Sequence, residues 1–88
     1  MKNYRGLYTI KDIRNLSDDS VHERAIRRKG QEVYIDLVEI GAPLYLDYQD
    51  GRGLKTSQVK NIQYIYGSGI LRVFTMNTMY VFKETARF

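Results

Sequence analysis

The sequence predicts an α+β protein that is mostly β: a small barrel or a curled antiparallel sheet of five or six strands, with two short N-terminal helices. Three apolar runs rich in β-branched and aromatic residues, at 62–66, 70–76 and 79–82, are separated by Gly67-Ser68-Gly69 and by Asn77-Thr78. Such runs between turn residues are typical of an antiparallel meander. Helix-start signals lie near the N-terminus, and alternating apolar and polar residues connect the two regions.

Two helix starts are predicted from capping patterns. Thr9 is a suitable N-cap with Asp12 in the reciprocal position, which predicts a helix over residues 10–15. Ser17 can cap a second helix, which basic residues and then Gly30 would end. The hydrophobic pairs that would brace these starts are Tyr8–Ile13 and Leu16–Val21.

Strand patterns begin after Gly30. Val59 and Ile62 are three residues apart, so strict alternation fails there, and we expect a bulge or corner near Lys60-Asn61. Strands are predicted at 32–40, at 44–48 before a turn at 50–53, at 54–60, and then in the meander, with residues 85–88 as a frayed tail.

Length and composition indicate one domain over residues 1–88, with a helical region at 1–30 and the sheet or barrel at 31–84. The 43% hydrophobic content is too high for a disordered chain. No apolar run approaches the roughly 18 residues of a membrane helix. The absence of cysteine excludes disulfides and thiolate chemistry and fits a cytosolic protein.

The net charge of +4 conceals a polarised distribution. Residues 1–30 carry eight Lys/Arg and four Asp/Glu, residues 31–50 carry five acids and no base, and residues 51–88 carry six bases and one acid. A basic face can attract phosphate, whereas the acidic middle could repel it or pair with a basic neighbour.

Patterns of enzyme chemistry are sparse. His22 is the one histidine, and on a helix face a histidine is usually an ordinary surface group. Asp47 and Asp50, with Lys55 nearby, could resemble a nuclease cluster, but acids beside an Asp-Gly turn usually form the turn. A phosphate-binding glycine loop and a dense set of metal ligands are both missing from the sequence. We therefore expect no enzyme activity, no metal and no cofactor.

Basic residues and tyrosines are the candidate binding groups. Arginines in a last helical turn also complement the helix dipole, and tyrosine favours strands, so purely structural roles account for both sets as well. A protein interface is a third interpretation of the tyrosines. If a ligand is bound, its phosphate is expected at Arg24, Arg27, Arg28, Lys55, Lys60 and Arg72, and its rings at Tyr45, Tyr64 and Tyr66.

The C-terminal third resembles a group of small uncharacterised phage and prophage proteins. The resemblance rests on a TS-x-V pattern at Thr56-Ser57-Gln58-Val59 and on a T-x-N-S-x-Y pattern from Thr75 to Tyr80, with Thr78 at the usual serine position. It implies a β-rich accessory protein of a virus or mobile element that acts in the host-cell cytosol. It carries over no catalytic residue.

Two hypotheses of function follow. In the first, the protein binds a phosphate-bearing ligand, either a nucleotide defence signal or nucleic acid, and so antagonises a host process. In the second, it inhibits a host defence protein directly through a sheet edge or exposed tyrosines. A structural role in a virion is a third possibility. A homo-oligomer is expected in either of the first two, because so small a core gains from burying exposed sheet, and no membrane association is expected.

Overall fold

The computed structural model describes residues 4–88, which form one antiparallel sheet of seven strands and one short helix. The expectation of a mostly β protein is confirmed. No helix in these residues is long and apolar enough to cross a membrane. In chain order the elements are β1 (Gly6–Asn15), α1 (Glu23–Arg28), β2 (Glu32–Ile35), β3 (Pro43–Tyr48), β4 (Gly53–Gln58), β5 (Asn61–Ile65), β6 (Ile70–Phe74) and β7 (Thr78–Arg87).

The strand order is β4-β3-β2-β1-β7-β6-β5, so β4 and β5 are the two edges although they follow one another in the chain. They are joined end to end by Val59 and Lys60. The Val59 amide donates to the Ala42 carbonyl beside β3, and the Lys60 amide donates to the Phe74 carbonyl of β6. The sheet therefore curls until its edges meet at the corner that was expected near Lys60. The barrel alternative is wrong, because β4 and β5 do not pair side by side.

The first predicted helix, at 10–15, is wrong: these residues belong to β1. The pairing of β1 with β7 shifts register between Ile10 and Asp12, which leaves Lys11 as an extra residue. Ile10 and Ile13 therefore both face the core although they are three residues apart. This spacing is typical of a helix, but here the bulge in the strand produces it. The helical region predicted over 1–30 also includes residues 1–3, which lie outside the described residues.

The second predicted helix is much shorter than expected. Ser17 does not cap it; instead, the Asp18 side chain accepts bonds from the amide and hydroxyl of Ser20 and builds a turn. The helix begins after His22, whose Nδ1 accepts from the Arg24 amide at 3.0 Å. Local side-chain bonding thus replaces the first half of the predicted helix with a turn.

Strand lengths differ from the prediction at two places. β2 ends at Ile35, and residues 36–42 leave the sheet with Leu37 and Ile40 exposed. β7 continues through the predicted tail to Arg87, since Glu84, Ala86 and Arg87 pair with the start of β1. With β1 added, the count rises to seven strands. The meander is confirmed as β5, β6 and β7.

The core lies on the concave face of the curled sheet. Aromatic rings form its centre: Phe82 contacts Tyr80 at 6.2 Å and Tyr8 at 6.0 Å between ring centroids. Helix α1 packs against β1 and contributes Ala25, which is 1% exposed. Aliphatic residues complete the cluster: Ile10, Ile13, Val33, Ile35, Val38, Leu44, Leu46, Val59, Leu71 and Val73.

Gly6 provides a test of this packing. A Cβ atom there would lie 2.2 Å from the carbonyl oxygen of Ala86 on β7, which is closer than real contacts allow. We expect Gly6→Ala to lower the free energy of unfolding by about 1–3 kcal/mol, as overpacking does. Gly53→Ala is the matched control, because its Cβ would meet nothing closer than 3.6 Å. Urea unfolding measures both; equal stabilities would contradict the β1–β7 register.

Candidate ligand-binding site

The nine residues predicted to bind a ligand do not form one site. Arg24, Arg27 and Arg28 lie on α1; Tyr45 and Lys55 face each other on β3 and β4; Lys60 is at the corner; Tyr64 and Tyr66 lie at the end of β5; and Arg72 is on β6. The phosphate set and the stacking set therefore meet only where Lys55 lies over the Tyr45 ring, 5.9 Å from its centroid.

Two arginines of α1 contact tyrosines that close one end of the core. Arg24 Nη1 donates to the Tyr80 hydroxyl at 2.8 Å. Arg28 Cζ lies 4.6 Å from the centroid of the Tyr48 ring, and its Nη1 donates to Gln31 at 3.3 Å. Of the three arginines on the helix, Arg27 alone forms an ion pair, at 3.8 Å from Glu23. Within residues 4–88, Arg24 and Arg28 form no ion pair and are oriented by neutral groups, although the charge of Arg28 contributes to lowering the pKa of Asp50 nearby.

Tyr48 has an unusual environment. The residue is 7% exposed, and its hydroxyl is the one buried side-chain polar atom of the described residues that has no hydrogen-bond partner. A buried hydroxyl without a partner costs free energy, and so calls for an explanation. Burial raises the pKa of Tyr48, against the opposing effect of the nearby arginines.

A cavity of about 280 Å³ adjoins this tyrosine at the C-terminal end of α1. It is lined by two amides, two carboxylates and the tyrosine: Gln31, Gln49, Glu32, Asp50 and Tyr48. Gln31 follows the helix closely, and its Nε2 donates to the Arg27 carbonyl at 3.4 Å. Hydrogen-bond donors and acceptors therefore both lie beside the basic last turn of α1.

The two carboxylates of the cavity are held in place by neighbours. Glu32 accepts from Gln49 at 2.5 Å and from the Thr85 hydroxyl at 3.1 Å. Asp50 accepts from the backbone amide of Arg52 and pairs with its guanidinium at 2.8 Å, and these contacts lower the pKa of Asp50. Both side chains are thus hydrogen-bond acceptors in fixed positions.

Tyr64 and Tyr66 belong to a separate cluster at the other end of the aromatic core. Their rings meet edge to face at 5.0 Å. Glu84 accepts from the hydroxyls of Tyr64 at 3.2 Å and of Tyr8 at 3.3 Å, and pairs with Arg87 at 3.2 Å. Burial first, and then the charge of Glu84, raises the pKa of Tyr8. Tyr64 is therefore engaged in the fold, and Tyr66, 66% exposed, is the member of the pair that faces solvent.

The acidic middle is partly paired with the basic ends. Arg5 and Asp36 form an ion pair at 3.1 Å. On the outward side of β6, Arg72 donates instead to the neutral Gln63 at 3.1 Å. The outward face of the sheet is therefore basic at β6 and acidic at β2 and β3, where Glu32 and Asp47 lie.

Sequence reasoning missed Tyr48 and Tyr80, which orient two of the predicted arginines. Tyr48 alternates with Leu44 and Leu46, and this spacing indicates that it lies on the inward side of its strand. A tyrosine on the inward side usually has a hydrogen-bond partner for its hydroxyl, so a polar neighbour could have been predicted there. The arginines lie on α1, which is distant in the chain from both β3 and β7.

The comparisons with known proteins give no family. No protein-family model, no curated protein and no solved structure matches the chain. Among residues 4–88, no three His, Cys, Asp or Glu side chains are grouped so that they could hold a metal ion.

The two tyrosines that contact α1 are a matched pair for mutation. Tyr80→Phe removes a bond to a charged donor, and we expect a loss of about 1–2 kcal/mol in the free energy of unfolding. Tyr48→Phe removes a hydroxyl without a partner, and we expect the same quantity to stay constant or rise by up to about 1 kcal/mol. Chemical denaturation measures both; a loss at Tyr48 as large as that at Tyr80 would show that its hydroxyl is bonded.

Buried tyrosines predict a loss of stability in alkali. Burial raises the pKa of Tyr8, Tyr48 and Tyr80 above the value of about 10 found in unfolded chains. Above pH 10 the unfolded state releases protons that the folded state retains, so stability is complete below that pH and falls as the pH rises further. Urea unfolding from pH 8 to 11 measures this, with tyrosinate absorbance as the second probe because tryptophan is absent. A constant midpoint would contradict it.

Proposed function

We propose that the protein is a non-enzymatic binding protein for a phosphate-bearing ligand, and that the C-terminal end of α1 with its adjoining cavity is the binding site. Nucleotides and nucleic acid share this chemistry. The resemblance of the C-terminal third to phage accessory proteins extends the proposal to a role: the protein would capture a host ligand and antagonise the process that uses it.

The observation that carries the proposal is the state of Arg28 and Tyr48. Arg28 is oriented by an aromatic ring and an amide and forms no ion pair, although Asp50 lies near enough to be influenced by its charge. The Tyr48 hydroxyl next to it is buried without a partner. An oriented cation beside a cavity favours an incoming anion, because the charge is held in place before the ligand arrives.

The cavity chemistry suits a nucleotide better than phosphate alone. Carboxylates such as Glu32 and Asp50 repel phosphate, but accept hydrogen bonds from sugar hydroxyls and from amino groups of bases. Arg27 and Lys29 flank Arg28 in the chain and are exposed, so their charges suit the phosphate. The charges therefore favour an arrangement in which the phosphate lies against the helix end and the nucleoside lies in the cavity.

The test is titration calorimetry with mononucleotides and with a short single-stranded oligonucleotide, preceded by native mass spectrometry of the purified protein to detect a retained ligand. We expect micromolar or tighter binding that weakens as salt rises, more steeply for the oligonucleotide because it contacts more phosphates. The slope distinguishes the two ligand types. Binding that is absent for all of them, or is unchanged by salt, would overturn the proposal.

Variants locate the site. Arg28→Gln keeps a polar side chain but removes the charge, and we expect it to weaken binding by about tenfold or more. Lys55→Gln is the matched control, because Lys55 lies on β4 beside Tyr45 and away from α1. Equal losses in the two variants would indicate attraction to net charge alone rather than a site on α1.

The second hypothesis, inhibition of a host protein, has support in the exposure of Tyr45, which is 55% exposed on β3. In that case Tyr45→Ala would abolish binding to the target, and Arg28→Gln would leave it unchanged. The same set of variants therefore separates the two functions.

A further inference from the structure

β5 is an edge strand that lacks the usual protection of edges. Natural proteins protect edge strands with charges, proline, or bulges, since an open edge pairs with other strands. From Asn61 to Leu71, eleven consecutive residues carry no charge. The β5–β6 ladder runs through five consecutive pairs without a register shift. The opposite edge differs, because β4 carries Lys55 and its ladder with β3 is interrupted between Pro43 and Tyr45.

The backbone of β5 also shows which groups face outward. The Ile62 amide donates to the Asn61 side chain at 2.9 Å and not to β6. Backbone groups alternate in direction along a strand, so the peptide groups of Ile62 and Tyr64 point away from β6. The free edge thus offers peptide groups at two positions that are two residues apart.

We propose that β5 pairs with β5 of a second copy of this chain, antiparallel, across a two-fold axis at Gln63. In this register, Ile62 of each copy lies opposite Tyr64 of the other, so the outward peptide groups of the two strands can bond to each other. This register gives two aromatic–β-branched pairs, which are favourable across strands. Gln63 then faces its own copy on the axis.

The occupant is a second copy because the segment suits itself. The chain as a whole carries a net charge of +4, which opposes self-association, but β5 and its turn contribute none of that charge. Ile62 and Tyr64 are only partly buried, and their counterparts would cover the part that remains exposed. The cost is release of the Ile62 amide from Asn61.

The first test is the mass in solution by light scattering during size exclusion, over a range of protein concentrations. We expect wild type to approach twice its 10.3 kDa as concentration rises. Gln63→Lys puts two like charges on the axis, and we expect the dimer dissociation constant to rise about tenfold or more. Gln58→Lys makes the same change on β4 and should leave the dimer intact. A monomeric wild type, or equal effects of the two variants, would overturn the proposal.

The second test does not depend on the stability of the lysine variant. In the proposed dimer, the two copies of Gln63 lie opposite each other as a non-hydrogen-bonded pair. The Cα atoms of such a pair are about 4.5 Å apart, which is within the range that a disulfide spans. The chain has no cysteine, so Gln63→Cys should give one intermolecular disulfide on mild oxidation. Gln58→Cys should not. Rapid cross-linking at position 58 only would place the contact at β4 and overturn the proposal, as would cross-linking at neither position.

Discussion

The junction at Val59 and Lys60 is the constraint on which the rest of the fold depends. Two residues must connect strands that lie at opposite edges of a seven-stranded sheet, and this is possible only if the sheet curls until its edges converge. Curling creates a concave face deep enough to bury Val59 completely, together with the aromatic rings of Tyr80 and Phe82. One short helix is then sufficient to cover an end of this core.

The two ends of the core are closed by groups of opposite charge. Arg24 binds the hydroxyl of Tyr80 at one end, whereas Glu84 accepts from that of Tyr8 at the other. Both tyrosine bodies are buried, and their polar atoms are satisfied where the apolar interior ends. Tyr48 departs from this arrangement, since it lies beside Arg28 but its hydroxyl has no partner. The ligand that we propose at that end of the molecule would lie beside this tyrosine and Arg28.

Features set by neighbouring residues, such as turns, could be predicted from the sequence, whereas features set by contacts between distant segments could not. Gly67 and Asn77 mark turns through their own conformational preferences, so the meander could be predicted. The bulge at Lys11 depends on pairing with β7 at the far end of the chain, and without that partner Ile10 and Ile13 have the spacing of a helix. The basic end of α1 was visible as a pattern of residues. Its neutral partners were not, because β3 and β7 bring them from distant segments of the chain.

The bond between the Phe88 amide and the Arg5 carbonyl has a consequence for architecture. The start of β1 and the end of β7 lie side by side, so any polypeptide attached before or after this unit would leave from the same corner. Two such attachments would emerge as neighbours, away from the helix-covered end of the core. The fold can therefore be inserted within a longer chain, as a module with adjacent entry and exit, without separating the strands that hold it together.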